Sequence, residues 1–430
     1  MNPHDEVAAR LAAAEERIRV LEAALAVKER EVVEIHRSRA WRFAGAFRTL
    51  KHRYVDPLLR VFGIRWPRVA ASPMADVQPR ISSATTYDIL CLSTCDWDAR
   101  FQRPQQLMAL YAAAGHRVFY VSQRLRREGR PWAAVTKRDG VYEVTLSGDG
   151  AQAVDALRRD VGISAAVTIV HWPSWWPLAR EARKRFGWTV VYDCMDLHSG
   201  FASVSRDVVR QEAELLAGAD AVVVSSAALE RHALQQRREA FVIRNGCDVA
   251  HFAKTPPANN VRPVVGYYGA IAEWFDAALV AELAARRPDW DFVLVGSTYG
   301  GAVSRLAKLP NVFLPGEQAY ETLPEWLGRF DVAIVPFLRN PLTEATNPVK
   351  VYEMLAGGKP VVSVPIPEVA ALAPLVRLAS TVEEFSREIE AALAEPAELA
   401  EQRREFAREQ SWERRFAELA AVTARVSKER

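Results

Sequence analysis

The segment TNPVKVYEMLAGGKPVV, residues 346 to 362, has the spacing in this chain that most suggests chemistry. A polar loop runs into a helix, and Pro348 suits an early helical position, where a missing N–H costs nothing. Free backbone N–H groups at a helix start, backed by the helix dipole, favour a phosphate. Lys350 supplies a charge able to neutralise a diphosphate. Glu353 lies three residues on and shares its face. A carboxylate accepts two hydrogen bonds from a cis-diol, so ribose is a sensible partner. Gly357 and Gly358 end the helix and Pro360 introduces a strand. On this segment alone, an ordinary helix with a surface ion pair remains the alternative. Three further clusters stand out. Asp193-Cys-Met-Asp196-Leu-His198 gathers two carboxylates and an imidazole beyond an apolar run. Asp96-Trp97-Asp98 precedes Arg100, Gln102, Arg103 and Gln105. His171-Trp-Pro-Ser-Trp-Trp-Pro177 sets three tryptophans in one loop. Helix capping and core packing are the plain alternatives for these three.

The elements that must hold these residues begin at Tyr87. The runs YDILCLST, HRVFYVS, AAVTIVHWP, TVVYDCMD, AVVVSS and FVIRN read as buried strands with helices between them. A second series follows: PVVGYYG, DFVLVGS, NVFLPG, VAIVPF and PVVSVPI. Strands alternating with helices predict parallel sheets covered on both faces, hence two Rossmann-like halves. Ligands of such sheets bind beyond the carboxyl ends of the strands. The 430 residues, half of them hydrophobic and a quarter charged, exclude a mainly disordered or collagen-like chain. The net charge of +3 does not suggest nucleic acid as a partner. Four cysteines are too scattered for a disulfide framework or a zinc site and suit a reducing cytosol. No apolar run reaches 18 residues, and the N-terminus begins polar and acidic with no signal core.

Ahead of the halves lies a different leader. Val7, Ala14, Leu21, Lys28 and Ile35 form one seam of a heptad pattern, and Leu11, Ile18, Leu25 and Val32 form the other. This predicts a coiled coil and a homo-oligomer through residues 7–35. Residues 37–68 hold nine Lys/Arg against one acid, Asp56, and so carry +8 in a chain whose total is +3. Trp41, Phe43, Phe47, Tyr54, Phe62 and Trp66 are interleaved with them. Such a stretch suits the headgroup region of an anionic membrane surface. Residues 69–84 read as a linker.

Taken together, these segments resemble the GT-B-fold nucleotide-sugar glycosyltransferases. TNPVKVYEMLAGGKPVV looks like their donor-binding helix. GYYGAIAEWFD, with Gly269, resembles the glycine loop opening their C-terminal domain, and IRNGCD resembles the stretch entering their interdomain hinge. YDILCLSTCDWDARFQRPQQL and VVYDCMDLHSGF resemble a bacterial subgroup that builds surface polysaccharides, and SRAWRFAGAFR resembles a motif of members with coiled-coil leaders. The resemblance implies an α/β GT-B fold: a coiled-coil helix at 1–36, a basic segment and linker at 37–84, an acceptor domain at 85–250, and a nucleotide-sugar domain at 251–430 with a final crossover helix near 411–425.

It further implies a metal-independent glycosyltransferase at the cytoplasmic membrane face, moving a sugar from a nucleotide-diphosphate sugar to a surface-glycan or lipid-linked acceptor. No cofactor is expected beyond that co-substrate. Donor binding falls to Gly269, Thr346, Asn347, Lys350, Val351 and Glu353. Acceptor binding falls to Trp97, Arg100, Arg103 and His171. Asp196 is the first choice of base, before Asp193 and His198. One departure matters: many retaining members carry a glutamate eight positions before the one matched by Glu353, and here that position is Ala345, with Glu344 one place off. The sugar and the stereochemistry therefore stay open. A sugar-nucleotide 2-epimerase of the same fold and a non-catalytic coiled-coil scaffold are the rival readings.

Overall fold

The computed structural model describes residues 87–123, 130–298 and 303–428, all within the unit Met74–Arg430. The heptad segment 7–35 and the basic segment 37–68 lie outside the described residues.

Among the described residues the chain forms two sheets. The first contains β1 (Asp88–Leu92), β2 (Val118–Val121), β3 (Trp132–Arg138), β4 (Val141–Leu146), β5 (Ala166–Val170), β6 (Thr189–Cys194), β7 (Ala221–Val224) and β8 (Phe241–Val242). Its order is β3-β4-β2-β1-β5-β6-β7-β8. The second contains β9 (Val264–Tyr268), β10 (Asp291–Val295), β11 (Val312–Gly316), β12 (Val332–Val335), β13 (Val361–Ser363) and β14 (Arg377–Leu378), in the order β11-β10-β9-β12-β13-β14. Strands such as DILCL, AVTIV and TVVYDC are buried along their whole length. Helices cover both sheet faces, so both side-chain rows must be apolar. Asp88 is the exception in β1: it is buried, and Arg117 binds its two oxygens at 2.6 and 2.8 Å.

Several helices between strands start where a short polar side chain binds the free N–H groups. Asp149, Ser205, Ser226 and Asp276 each cap one in this way. Three strands escaped the sequence reading. Strands β3 and β4 form an antiparallel hairpin within a stretch where a helix would be the normal crossover. Strand β14 is only two residues long, too short for any periodicity to register.

In both sheets the strand order reverses beside the first strand, between the parallel pairs β1/β5 and β9/β12. Those switch points open crevices at the carboxyl ends, and the two crevices face each other. The halves are pinned together at their edge. Asn245 donates its backbone N–H to Asn347 Oδ1 at 2.8 Å and its side-chain amide to Asn347 O at 2.6 Å. Ser226 Oγ donates to Ala345 O at 2.6 Å, and Arg244 pairs with Glu368 at 2.7 Å. The last helix, Trp412–Lys428, returns to the first half: Trp412, Leu419, Val422 and Val426 join a core with Leu107, Met108 and Tyr111. No helix among the described residues is long and apolar enough to cross a membrane.

Candidate active site

A cleft of about 950 Å³ lies between the two sheets. Gly269, Thr346, Asn347, Lys350 and Glu353 line it from one half; Trp97, Arg100, Arg103, Asp196 and His198 line it from the other. Ten of the thirteen residues singled out in the sequence therefore converge on one space. Val351, Asp193 and His171 do not line it.

On the C-terminal side, the helix Val349–Ala356 begins at the cleft, with Pro348 as its cap residue. Lys350 is half-buried, its Nζ 4.8 Å from the Phe337 ring centre and 5.2 Å from that of Tyr267. Burial lowers its pKa to about 8, against the opposing charge of Glu353 and with the help of Arg100. Glu353 is 6% exposed, and burial raises its pKa to about 7 although a hydrogen bond with Tyr268 and the charge of Lys350 pull it back. The glycines are there for close approach. Gly269 has φ +133°, and a Cβ on it would lie 2.8 Å from Lys350 Cε. Gly296 has φ +152°, and its Cβ would lie 1.9 Å from Gly269 O.

On the N-terminal side, Asp196 sits two residues beyond β6, and burial alone raises its pKa to about 6. A carboxyl tuned this way can take a proton near neutrality. His198 is buried, with neither ring nitrogen hydrogen-bonded among the described residues, and its ring meets Trp172 edge-on at 5.0 Å. Burial and nearby His232 lower its pKa to about 4, so the ring is neutral at pH 7.

Several expected roles meet other uses of the same side chains. Asp193 is fully buried, with Arg103 Nη2 at 2.8 Å and His171 Nε2 at 3.3 Å. Burial works to raise its pKa, but the charge of Arg103 and the hydrogen bonds from His171 and Arg103 win and hold it well below the usual carboxylate range. This geometry suits a structural ion pair rather than a proton acceptor. Arg103 Nη1 donates to Ile243 O, Arg244 O and Asn245 Oδ1, and His171 lies 3.6 Å from Cys91 Sγ. Both side chains are engaged by Asp193, and His171 does not line the cleft. Asn347 gives both amide hydrogens away, to Tyr352 Oη at 2.9 Å and Glu368 Oε2 at 3.1 Å, so neither is left for a phosphate. Thr346 Oγ1 donates to Leu342 O at 2.8 Å. Val351 is core. Trp97 is 5% exposed and packs edge-on against Tyr120. Glu344 pairs with Arg339 at 3.3 Å and is not on the cleft wall.

The cleft also contains residues the sequence reading passed over: Tyr268, Ser297, Trp274, Phe201 and Glu317. Tyr268 ends β9 and Ser297 follows β10 by two residues, so the strand-end rule applied to every strand would have found them. Of the three tryptophans near His171 only Trp172 lines the cleft. Trp175 binds Ser93 O at 2.9 Å, and Trp176 fills the space left by Gly218.

Comparison with known proteins agrees with this architecture. Residues 262–395 match the family described as Glycosyl transferases group 1. TuaH of Bacillus subtilis (strain 168), assigned as a teichuronic acid biosynthesis glycosyltransferase, is 31% identical over 206 residues, 43% of this chain and 52% of TuaH. The chain thus spans about half the length of that relative. Among solved structures, sucrose-phosphate synthase from Thermosynechococcus elongatus superposes with a TM-score of 0.66 at 16% identity, covering 80% of this chain and 100% of that one. Anabaena Alr3699/HepE, solved with UDP and glucose, gives 0.62 at 14% identity, covering 79% and 99%. The fold is GT-B, as the motifs implied, and the stretch that resembles group 1 glycosyl transferases lies in its C-terminal half.

Proposed function

We propose that this chain transfers a sugar from a nucleotide-diphosphate sugar to a surface-glycan or lipid-linked acceptor. The carrying observation is that Lys350 and Glu353, one helical turn apart, both face the interdomain cleft beside Gly269 at a helix start. Lys350 and the helix N–H groups hold the diphosphate, and Glu353 receives the ribose hydroxyls. The acceptor hydroxyl oxygen bonds to the anomeric carbon while the bond from that carbon to the diphosphate breaks. The electron pair leaves with the diphosphate, and Asp196 takes the hydroxyl proton. Neither a metal nor a further cofactor enters this reading. The teichuronic acid role assigned to TuaH supports a glycan acceptor. Work at the cytoplasmic membrane face through residues 37–68, and self-association through residues 7–35, belong to the same proposal.

A thermal-shift screen against nucleotide sugars tests the donor: one of them should raise the melting temperature of the wild type and not that of Lys350→Ala or Glu353→Ala. No shift with any donor would remove the reading. A product that keeps the donor's anomeric configuration would remove Asp196 from its role. Deletion of residues 1–68 should abolish sedimentation with anionic vesicles.

A further inference from the structure

Arg100 comes from the N-terminal half yet binds the opposite wall. Its Nε donates to Glu317 Oε1 at 3.0 Å and its Nη2 to Ser297 Oγ at 2.9 Å. Ser297 follows Gly296, whose missing Cβ lets the backbone press against Gly269 O, and the missing Cβ of Gly269 in turn admits the end of Lys350. Arg100, Ser297, Gly269 and Lys350 thus surround one part of the cleft, and all four line it. Arg100 and Lys350 are close enough for the guanidinium to depress the lysine's pKa. Two cations brought together repel each other, a cost relieved by an anion between them. The ion pair of Arg100 with Glu317 is weakly held: the Arg100 side chain is 39% exposed and that of Glu317 50%, and exposed pairs contribute little.

Resting on the function proposed above, we infer that Arg100 is a second cation for the donor's diphosphate, exchanging Glu317 for it as the nucleotide enters. This moves Arg100 from the acceptor role expected of it to the leaving group. A guanidinium offers two parallel N–H donors to a phosphate, which the Lys350 ammonium cannot. The bond to Ser297 holds the fork in place, and closure of the N-terminal half becomes linked to donor occupancy.

The test is calorimetric binding of the nucleoside diphosphates UDP, GDP, ADP, CDP and dTDP, and the matching monophosphates, to the full chain. The wild type should bind one diphosphate about tenfold or more tighter than its monophosphate. Arg100→Gln should lose about tenfold for that diphosphate and leave the monophosphate within about twofold, with Arg100→Lys in between. Glu317→Gln, which removes the competing carboxylate charge, should tighten diphosphate binding. Full diphosphate affinity in Arg100→Gln, equal losses for diphosphate and monophosphate, or no gain in Glu317→Gln each overturns the inference and leaves the proposed function standing. Failure of the wild type to bind any of the five diphosphates would instead overturn the proposed function itself.

Discussion

Replacing Asp193 with Asn separates a structural ion pair from a catalytic base. The substitution keeps shape and volume and removes one charge. Arg103 is 2% exposed and then keeps only neutral acceptors: the amide oxygen introduced at position 193, and Ile243 O, Arg244 O and Asn245 Oδ1 at 3.1 to 3.2 Å. Those acceptors carry no net charge, so a buried cation loses its counter-ion. Breaking a buried pair by removing one partner costs about 3–5 kcal/mol. With a urea slope of about 3 kcal/mol per molar, the unfolding midpoint should fall by about 1 to 1.7 M. The sign with pH follows from the lowered pKa of Asp193. Its stabilisation is complete above the unfolded carboxyl value and fades as pH drops through the folded one, so the gap between wild type and variant should hold from pH 6 to 8 and narrow in acid. Adding Arg103→Leu to Asp193→Leu should recover part of the loss, because no unpaired charge is left behind. A variant Asp193→Asn that unfolds at the wild-type urea concentration yet transfers no sugar would refute this reasoning and restore Asp193 as a reacting group.

Asp196→Asn should show the opposite pattern. Transfer should drop by about 10²–10⁴, while stability at pH 7 matches or exceeds the wild type. Because its carboxyl is raised to about 6, the cost to folding builds as pH climbs from the ordinary carboxyl value and is complete above about 6; urea unfolding alongside a transfer assay checks both. The rate should follow a bell in pH, rising through about 6 to 7 as Asp196 and Glu353 ionise and falling near 8 as Lys350 loses its proton. A flat profile from pH 5.5 to 9 would count against all three roles. Gly269→Ala must adopt φ +133° and meet Lys350 Cε. Strain of about 1–3 kcal/mol is expected, together with a loss of donor affinity seen by calorimetry; wild-type affinity in that variant would deny Gly269 its part in seating the lysine.

Much of this protein could be read from local pattern. Alternating apolar strands and amphipathic helices implied two parallel sheets, because a strand covered on both faces must be apolar throughout. The strand-end rule then pointed to the loops after β1, β6 and β9, and the segment 346–353 was recognisable because its chemistry sits within one turn of helix. The hairpin of β3 and β4 broke the alternation and was missed. What the tertiary structure alone decided is which polar side chains are free. Asp193 and Arg103 are 90 positions apart, and Asn245 and Asn347 are 102 apart. Nothing within a few residues of Asp193 announces that a guanidinium occupies its oxygens, whereas Asp196, three residues later, is left to the cleft. Arg100 likewise reaches Glu317 across 217 positions. Hydrogen bonds of side chains are settled by which groups folding brings within about 3 Å, and that information resides in the packing of the two halves, not in the order of residues along either one.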